Sequence, residues 1–396
     1  MRRVAVTGVG MITPLGRDVP STWEALVEGE GGVGPIRRFD ARGFPVTFAA
    51  QVDLEGPEDA DEGELKLELA RHALDEALGM SGELPYDRVG VCIGSEAARP
   101  SLGVIGRRHR LAQVPGVAEL SRAAPQAPSR YVHERLGVPG PVTTISTACT
   151  SSSQAVGEGV LRIRRREVDA MVVGGVDLLV NPVMVTGFSL LGALSTRNDE
   201  PHRASRPFDR GRDGFVLGEG AGFLILEEWD AADRRGADIL GELRGYGCSC
   251  NAYRITDSPP DGRGAAQAMA LALEDARLDA REIGYVNAHG TSTPMNDVSE
   301  SRGVCRVFGD HRVPVSSTKS SMGHLVAACG AVEAIVALLA VVNGVLPPTI
   351  NLDDPDPECD VEHLPHTARR QRIEHAITNA FGFGGSNGSL VLSRPR

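Results

Sequence analysis

Two stretches decide the fold: VTTISTACTSSSQAVGEGV, residues 142–160, and VPVSSTKSSMGHLVAACGAV, residues 313–332. Each reads as a short strand, then a turn rich in hydroxyl residues, then a helix of small apolar residues. After each comes an apolar strand ending in glycines, Met171 to Gly175 and Ile377 to Gly385. Before each lies a strand that closes on glycine and hydroxyl residues, Ile93-Gly94-Ser95 and His289-Gly290-Thr291. The same order of elements twice predicts two duplicated halves, 1–240 and 241–396, sharing one core. Strand runs alternating with helical patterns make this a layered α/β fold.

Working outward, Leu69, Ala70, Ala73, Leu74, Ala77 and Leu78 follow helical spacing and predict a helix closing near Gly79. Val4 to Val6 opens a first strand rather than a signal peptide, because the apolar run stops at Thr7-Gly8. Residues 97–130 fit neither half and are expected to form a cap or dimer-contacting insertion. Leu325 to Val342 has the length of a membrane span but holds Glu333 and is bounded by His324 and Gly344, so it is expected to be a buried core helix.

With 41% hydrophobic and 23% charged residues among 396, the chain can bury a large core and is not disordered. A net charge of −11 argues against nucleic acid as the main ligand. Local basic clusters remain at Arg107, Arg108 and Arg110 and at Arg162, Arg164, Arg165 and Arg166; they are solvated faces or docking points for an acidic partner. Of 41 basic residues only Lys66 and Lys319 are lysines, which makes Lys319 conspicuous. Seven scattered cysteines without a CxxC pair predict neither a disulfide framework nor zinc, and fit a reducing cytoplasm.

Cys149 stands where a strand turns into a helix, so the helix N-terminus is expected to favour its thiolate. His289 ends a strand before a turn with Thr291 and Thr293, and His324 opens the apolar helix of the second repeat, offset by a few residues from the Cys149 position. If the halves pack about a pseudo-twofold axis, one thiol and two imidazoles meet as nucleophile and acid/base or oxyanion donors. Glu333, isolated in an apolar helix, needs a counter-charge, and Lys319 is in range. NAFGFGGSNGS (379–389) sets Phe381 and Phe383 among glycines whose N–H groups can serve an oxyanion.

Read together, VAVTGVGMITPLG (4–16), TACTSS (147–152), ALSTRND (193–199), RPFDRGRDGFVLGEGAG (206–222), NAHGTSTPMND (287–297), KSSMGH (319–324) and FGFGGSN (381–387) resemble the β-ketoacyl-acyl-carrier-protein synthases of the KAS I/II type. The resemblance spans nearly the whole chain and extends to the ketosynthase subunit of type II polyketide synthases. It implies a thiolase-like fold of five layers, α-β-α-β-α. It further implies that Cys149 carries the acyl chain as a thioester, and that His289 and His324 assist decarboxylation of malonyl-acyl-carrier protein and stabilise the enolate. Lys319 and Glu333 would be the supporting charge pair, and the N–H groups of Cys149 and Phe383 the oxyanion hole. Thr291 and Thr293 would hold the phosphopantetheine arm, Phe381 and Phe383 the gating loop, and Phe188 the acyl pocket. No metal and no dissociable cofactor is implied; the pantetheine belongs to the acyl carrier protein.

The expected partners are that carrier protein and either a second copy or a cysteine-less chain-length-factor homologue, with no nucleic acid or membrane. Gly94-Ser95-Glu96-Ala97-Ala98 departs from the family's glycine-rich run, and Ala97 at a pocket-gating position leaves room for a long or unusual chain. That departure, the divergent 97–130 segment and the arginine bias lean towards a polyketide pathway, with a primary fatty-acid elongase homodimer as the alternative. A non-catalytic chain-length partner would lack the nucleophile, and the intact Cys149, His289 and His324 weigh against it. The same set weighs against a thiolase, with its second cysteine, and a starter-type synthase, with its Cys-His-Asn set.

Overall fold

A computed structural model of the chain describes residues 2–54, 61–98, 106, 109–112, 114 and 116–395. Arg107 and Arg108, with much of the early part of the 97–130 segment, lie outside the described residues. The strands Val142–Ile145, Val89–Ser95, Ala170–Asp177, Gly220–Glu228 and Val4–Ile12 lie side by side in that order. Beyond them Gly241–Cys250, Ser386–Ser393, His375–Phe381, Tyr285–Asn287 and Pro314–Ser316 repeat the order in mirror image, with Glu362–His363 on the far edge. In each set the outermost three strands run parallel and the inner two antiparallel. The two sets meet at Ala5 opposite Glu242 and Val6 opposite Gly241.

The central strands, such as Val89–Ser95 and Ala170–Asp177, are buried along their whole length, so they read as continuous apolar runs rather than alternating ones. Helices Ser151–Arg164 and Cys329–Asn343 pack on each other and touch strands of both sets. Glu62–Ser81 and Ala127–Leu136 cover the outer face of the first set, and Arg263–Ala276 with Pro294–Phe308 that of the second. This is the five-layered α-β-α-β-α arrangement. Small residues let the two middle helices approach closely, and the Ala331 N–H donates to the Ser152 hydroxyl at 3.0 Å.

The helix expected to close near Gly79 runs through it to Ser81, and Gly82, at φ 72°, ends it with its N–H donating to the Leu78 carbonyl. Val326–Asn343 is, among the described residues, the one helical stretch long and apolar enough to cross a membrane, and most of it lies buried in the core. Its first turn, Val326–Ala328, is a 3-10 turn, as is Ala148–Thr150 before the other middle helix. Structurally, then, the residue matching Cys149 is Ala327, and His324 lies three residues before it.

Candidate active site

Each middle helix is entered through a residue with positive φ that is not glycine: Ala148 at 51° and Val326 at 45°. Such backbone costs about 1–3 kcal/mol per residue and persists only where the surroundings enforce it. The turn after Ala148 carries Cys149. Ser151 closes it from the helix side, its hydroxyl accepting from Thr147 N at 2.9 Å and donating to the Ala148 carbonyl at 2.7 Å.

His324 arrives from the other repeat. Gly323 before it sits at φ 68°, where a Cβ would come within 2.9 Å of the Ala50 Cβ and 3.0 Å of the Val216 carbonyl. His324 is then pinned by main-chain bonds to the 216–218 segment, donating to the Val216 carbonyl and accepting from Gly218 N. Its ring is fixed edge-on against Phe215, centroids 5.4 Å apart, and Phe215 packs in the same way on Phe188 at 5.3 Å. His324 Nε2 lies 3.0 Å from Cys149 Sγ. The Val326 N–H points at Nδ1 from 3.3 Å, so the ring hydrogen belongs on Nε2, facing the sulfur.

His289 follows the strand Tyr285–Asn287, and its ring stands edge-on to His324 at 5.3 Å and to Phe381 at 5.7 Å. Gly290 makes that turn possible: at φ 36°, its Cβ would fall 2.5 Å from that of Ser317. Glu300, a residue the sequence reading did not single out, grips the turn by accepting both the His289 and the Gly290 N–H, at 2.8 and 2.7 Å. Ligating atoms of Cys149, His289 and His324 all lie within 4.8 Å of one another, and all three residues are buried.

Lys319 and Glu333 form an ion pair in the interior, each about 1% exposed. The expectation that Glu333 is buried beside Lys319 therefore holds geometrically. Burial lifts the Glu333 carboxyl to about 7, against the pull of Lys319. Burial opposes the Lys319 charge, but Glu333 outweighs it and holds the ammonium above the usual lysine range.

The expected thiolate is not what the resting site favours. Burial pushes the Cys149 thiol up to about 12, although Lys319 and the N–H groups of Phe383 and of Cys149 itself pull the other way. The helix N-terminus is present as foreseen, but its partial charge does not offset the removal of the sulfur from water. The same burial, with the Lys319 charge, holds His289 and His324 well below the ordinary imidazole range, so both are neutral at pH 7.

The remaining predicted residues surround this centre. Phe381 is buried against His289, and Phe383, half-buried, presents its N–H to Cys149. Thr291 and Thr293 share a hydrogen bond of 2.8 Å between their hydroxyls, just beyond His289. Ala97 is half-buried, next to Glu96, whose carboxylate accepts from the Ser146 hydroxyl and from Ala148 N in the nucleophile turn. Lys66, passed over in the sequence, is as buried as Lys319: both lysines of the chain are interior. A cysteine and two histidines in mutual reach can also hold a metal, but the buried Lys319 charge that bears on all three opposes a divalent cation there.

Residues 1–232 match the β-ketoacyl synthase N-terminal domain and residues 240–353 its C-terminal domain. The chain is 45% identical to a 3-oxoacyl-acyl-carrier-protein synthase 2 from Vibrio harveyi, over 99% of each chain. It is 39% identical to the tetracenomycin polyketide synthase ketoacyl synthase alpha subunit from Streptomyces glaucescens, over 100% of this chain and 98% of that one. Among solved structures, a type II polyketide ketosynthase in complex with its acyl-carrier protein superposes with a TM-score of 0.90 at 31% identity, each chain fully covered. The fold, the meeting of Cys149 with two histidines and these matches make the chain a member of the β-ketoacyl synthase family.

Proposed function

We propose that the chain is a condensing enzyme that lengthens an acyl thioester by two carbons through decarboxylative Claisen condensation with malonyl-acyl-carrier protein. The observation that carries this reading is the convergence of Cys149 with two neutral imidazoles in one buried site. In the first half-reaction Cys149 Sγ attacks the acyl thioester, its proton leaving with the pantetheine thiol. The N–H groups of Cys149 and Phe383 receive the oxyanion. Neutral His324, with hydrogen on Nε2, supports the developing thiolate as a donor rather than by taking its proton.

In the second half-reaction His289 and His324 donate to the malonyl thioester carbonyl. Its carbon–carbon bond to the carboxylate breaks, carbon dioxide leaves, and the enolate charge rests on these two donors. The enolate carbon attacks the Cys149 thioester carbonyl, the carbon–sulfur bond breaks to release Cys149 as a thiolate that takes up one proton from solvent, and the β-ketoacyl product departs on the carrier. Lys319 and Glu333 support the site through their charges, while Thr291 and Thr293 hold the pantetheine arm. Phe381 and Phe383 gate the site, and Phe188 and Ala97 shape the acyl pocket. The roles fall to both halves, 1–240 bringing the nucleophile and 241–396 the histidines. No metal or dissociable cofactor takes part.

The partners are an acyl carrier protein and a second thiolase-fold chain, either another copy or a cysteine-less homologue. Val142–Ile145 is an edge strand with Val142 exposed, which suits pairing with such a chain. The seven cysteines are all free, in keeping with a cytoplasmic enzyme. The decisive assay supplies acyl- and malonyl-carrier protein and follows the β-ketoacyl product by mass. Cys149→Ala abolishes product, and a Cys149→Ala protein that still elongates removes the assignment.

A further inference from the structure

Lys66 sits on the helix Glu62–Ser81, within a covering layer of the fold, yet it is only 3% exposed. Its ammonium donates to the main-chain carbonyl of Glu96 and reaches Asp177 Oδ1 at 3.3 Å. Asp177, at the end of the strand Ala170–Asp177, is fully buried, and its other oxygen accepts the Ala327 N–H at 3.1 Å. The Glu96 carboxylate in turn accepts the Ala148 N–H at 3.2 Å and the Ser146 hydroxyl at 2.9 Å. The two N–H groups come from the two strained turns: Ala148 has positive φ itself, and Ala327 follows Val326, which does.

We propose that Lys66, Glu96 and Asp177 form a strut of positioning residues that holds the Cys149 turn and the His324 turn at their working separation. It rests on the condensing reaction proposed above. The two turns repeat one another, each offers one N–H to one carboxylate-bearing residue, from Ala148 in one and Ala327 in the other, and a single ammonium binds both of those residues. The strut explains how two backbone positions that side-chain-bearing residues disfavour persist on either side of a 3.0 Å sulfur–nitrogen contact. It also suits one of only two lysines in an arginine-rich chain: a compact ammonium reaches the Glu96 carbonyl and the Asp177 carboxylate together.

The test compares Glu96→Gln, Glu96→Asp and Glu96→Ala in the full chain, each with its melting temperature measured. Gln keeps an acceptor at the same reach without the charge; Asp keeps the charge but falls one methylene short. The strut predicts that Asp and Ala lower kcat by roughly tenfold or more with KM little changed, as for a misplaced reacting group, while Gln stays within about threefold of the parent. It also predicts that the rate of Cys149 alkylation by iodoacetamide at pH 8 departs from the parent's by at least about threefold in Ala but stays near it in Gln, since neither has the charge and only Gln keeps the turn in place. Equal kcat in all four proteins, or a Gln variant as impaired as Ala, overturns the strut. A parent chain without condensing activity would instead overturn the proposed reaction, leaving the alkylation series to judge the strut alone.

Discussion

His324 Nε2 stands 3.0 Å from Cys149 Sγ while the Val326 N–H occupies Nδ1, so the imidazole faces the sulfur as a donor. Burial nevertheless lifts the thiol to about 12. The sign follows directly: below that value each unit of pH raises the thiolate fraction tenfold. Alkylation of Cys149 by iodoacetamide is therefore expected to climb about tenfold per unit from pH 7 to 9 without levelling. A plateau at or below pH 8, measured on the peptide carrying Cys149 because Cys248, Cys250 and Cys305 are exposed thiols, would contradict a buried neutral thiol.

Lys319 and Glu333 pair inside the core with almost no exposure. Removing one partner strands the other charge, so Lys319→Met is expected to destabilise the protein by about 3–5 kcal/mol in urea unfolding. Replacing both, Lys319→Met with Glu333→Met, recovers most of that stability because no lone charge remains. Condensation does not recover, since Lys319 is the main charge favouring the Cys149 thiolate. A double variant as active as the parent would show that the pair matters only for folding.

Glu300 holds the His289 turn through two N–H groups and is fully buried, with its carboxyl lifted by burial to about 7. A carboxyl raised in the folded state binds its proton more tightly there than when unfolded. Its contribution is therefore complete below about pH 4.5 and is lost as pH rises through 7, a swing of about 3 kcal/mol. The neutral histidines work the other way, so the parent's own profile mixes both signs. The difference isolates Glu300: the stability of Glu300→Gln relative to the parent is expected to increase from pH 5 to pH 8. Parallel curves of unfolding free energy against pH would show that Glu300 does not titrate in this window.

The repeated strand–turn–helix pattern was enough to predict layered halves, because buried parallel strands carry their apolar run in the chain itself. Cys149, His289 and His324 were legible since each sits at a turn that the chain marks with hydroxyl residues or with a glycine where a Cβ would not fit. Lys66 was not: one lysine in an amphipathic helix looks solvated until Asp177, more than a hundred residues away, is seen to face it. Glu300 hid in the same way on the helix Pro294–Phe308, though its place three residues after Asp297, also buried, marks one inward face. The thiol's proton affinity was misjudged because a turn shows the helix dipole but not how completely water is excluded.

Ala97 follows Glu96, which is bonded to the nucleophile turn, so any side chain at 97 projects from a segment fixed relative to Cys149. Its own side chain is a single methyl group, half-buried. If this position bounds the acyl pocket, an aromatic ring there takes up space that the growing chain needs, whereas the chemistry at Cys149 is left alone. Ala97→Phe is expected to shift products towards shorter acyl chains, with the rate on the shortest acceptable primer within about threefold of the parent. Phe188→Ala removes a ring that packs edge-on against Phe215; if Phe188 lines the same pocket, it should move the distribution the opposite way or broaden it. Both are read from the mass distribution of β-ketoacyl-carrier products. An Ala97→Phe enzyme with the parent's chain-length profile would mean that the pocket runs elsewhere.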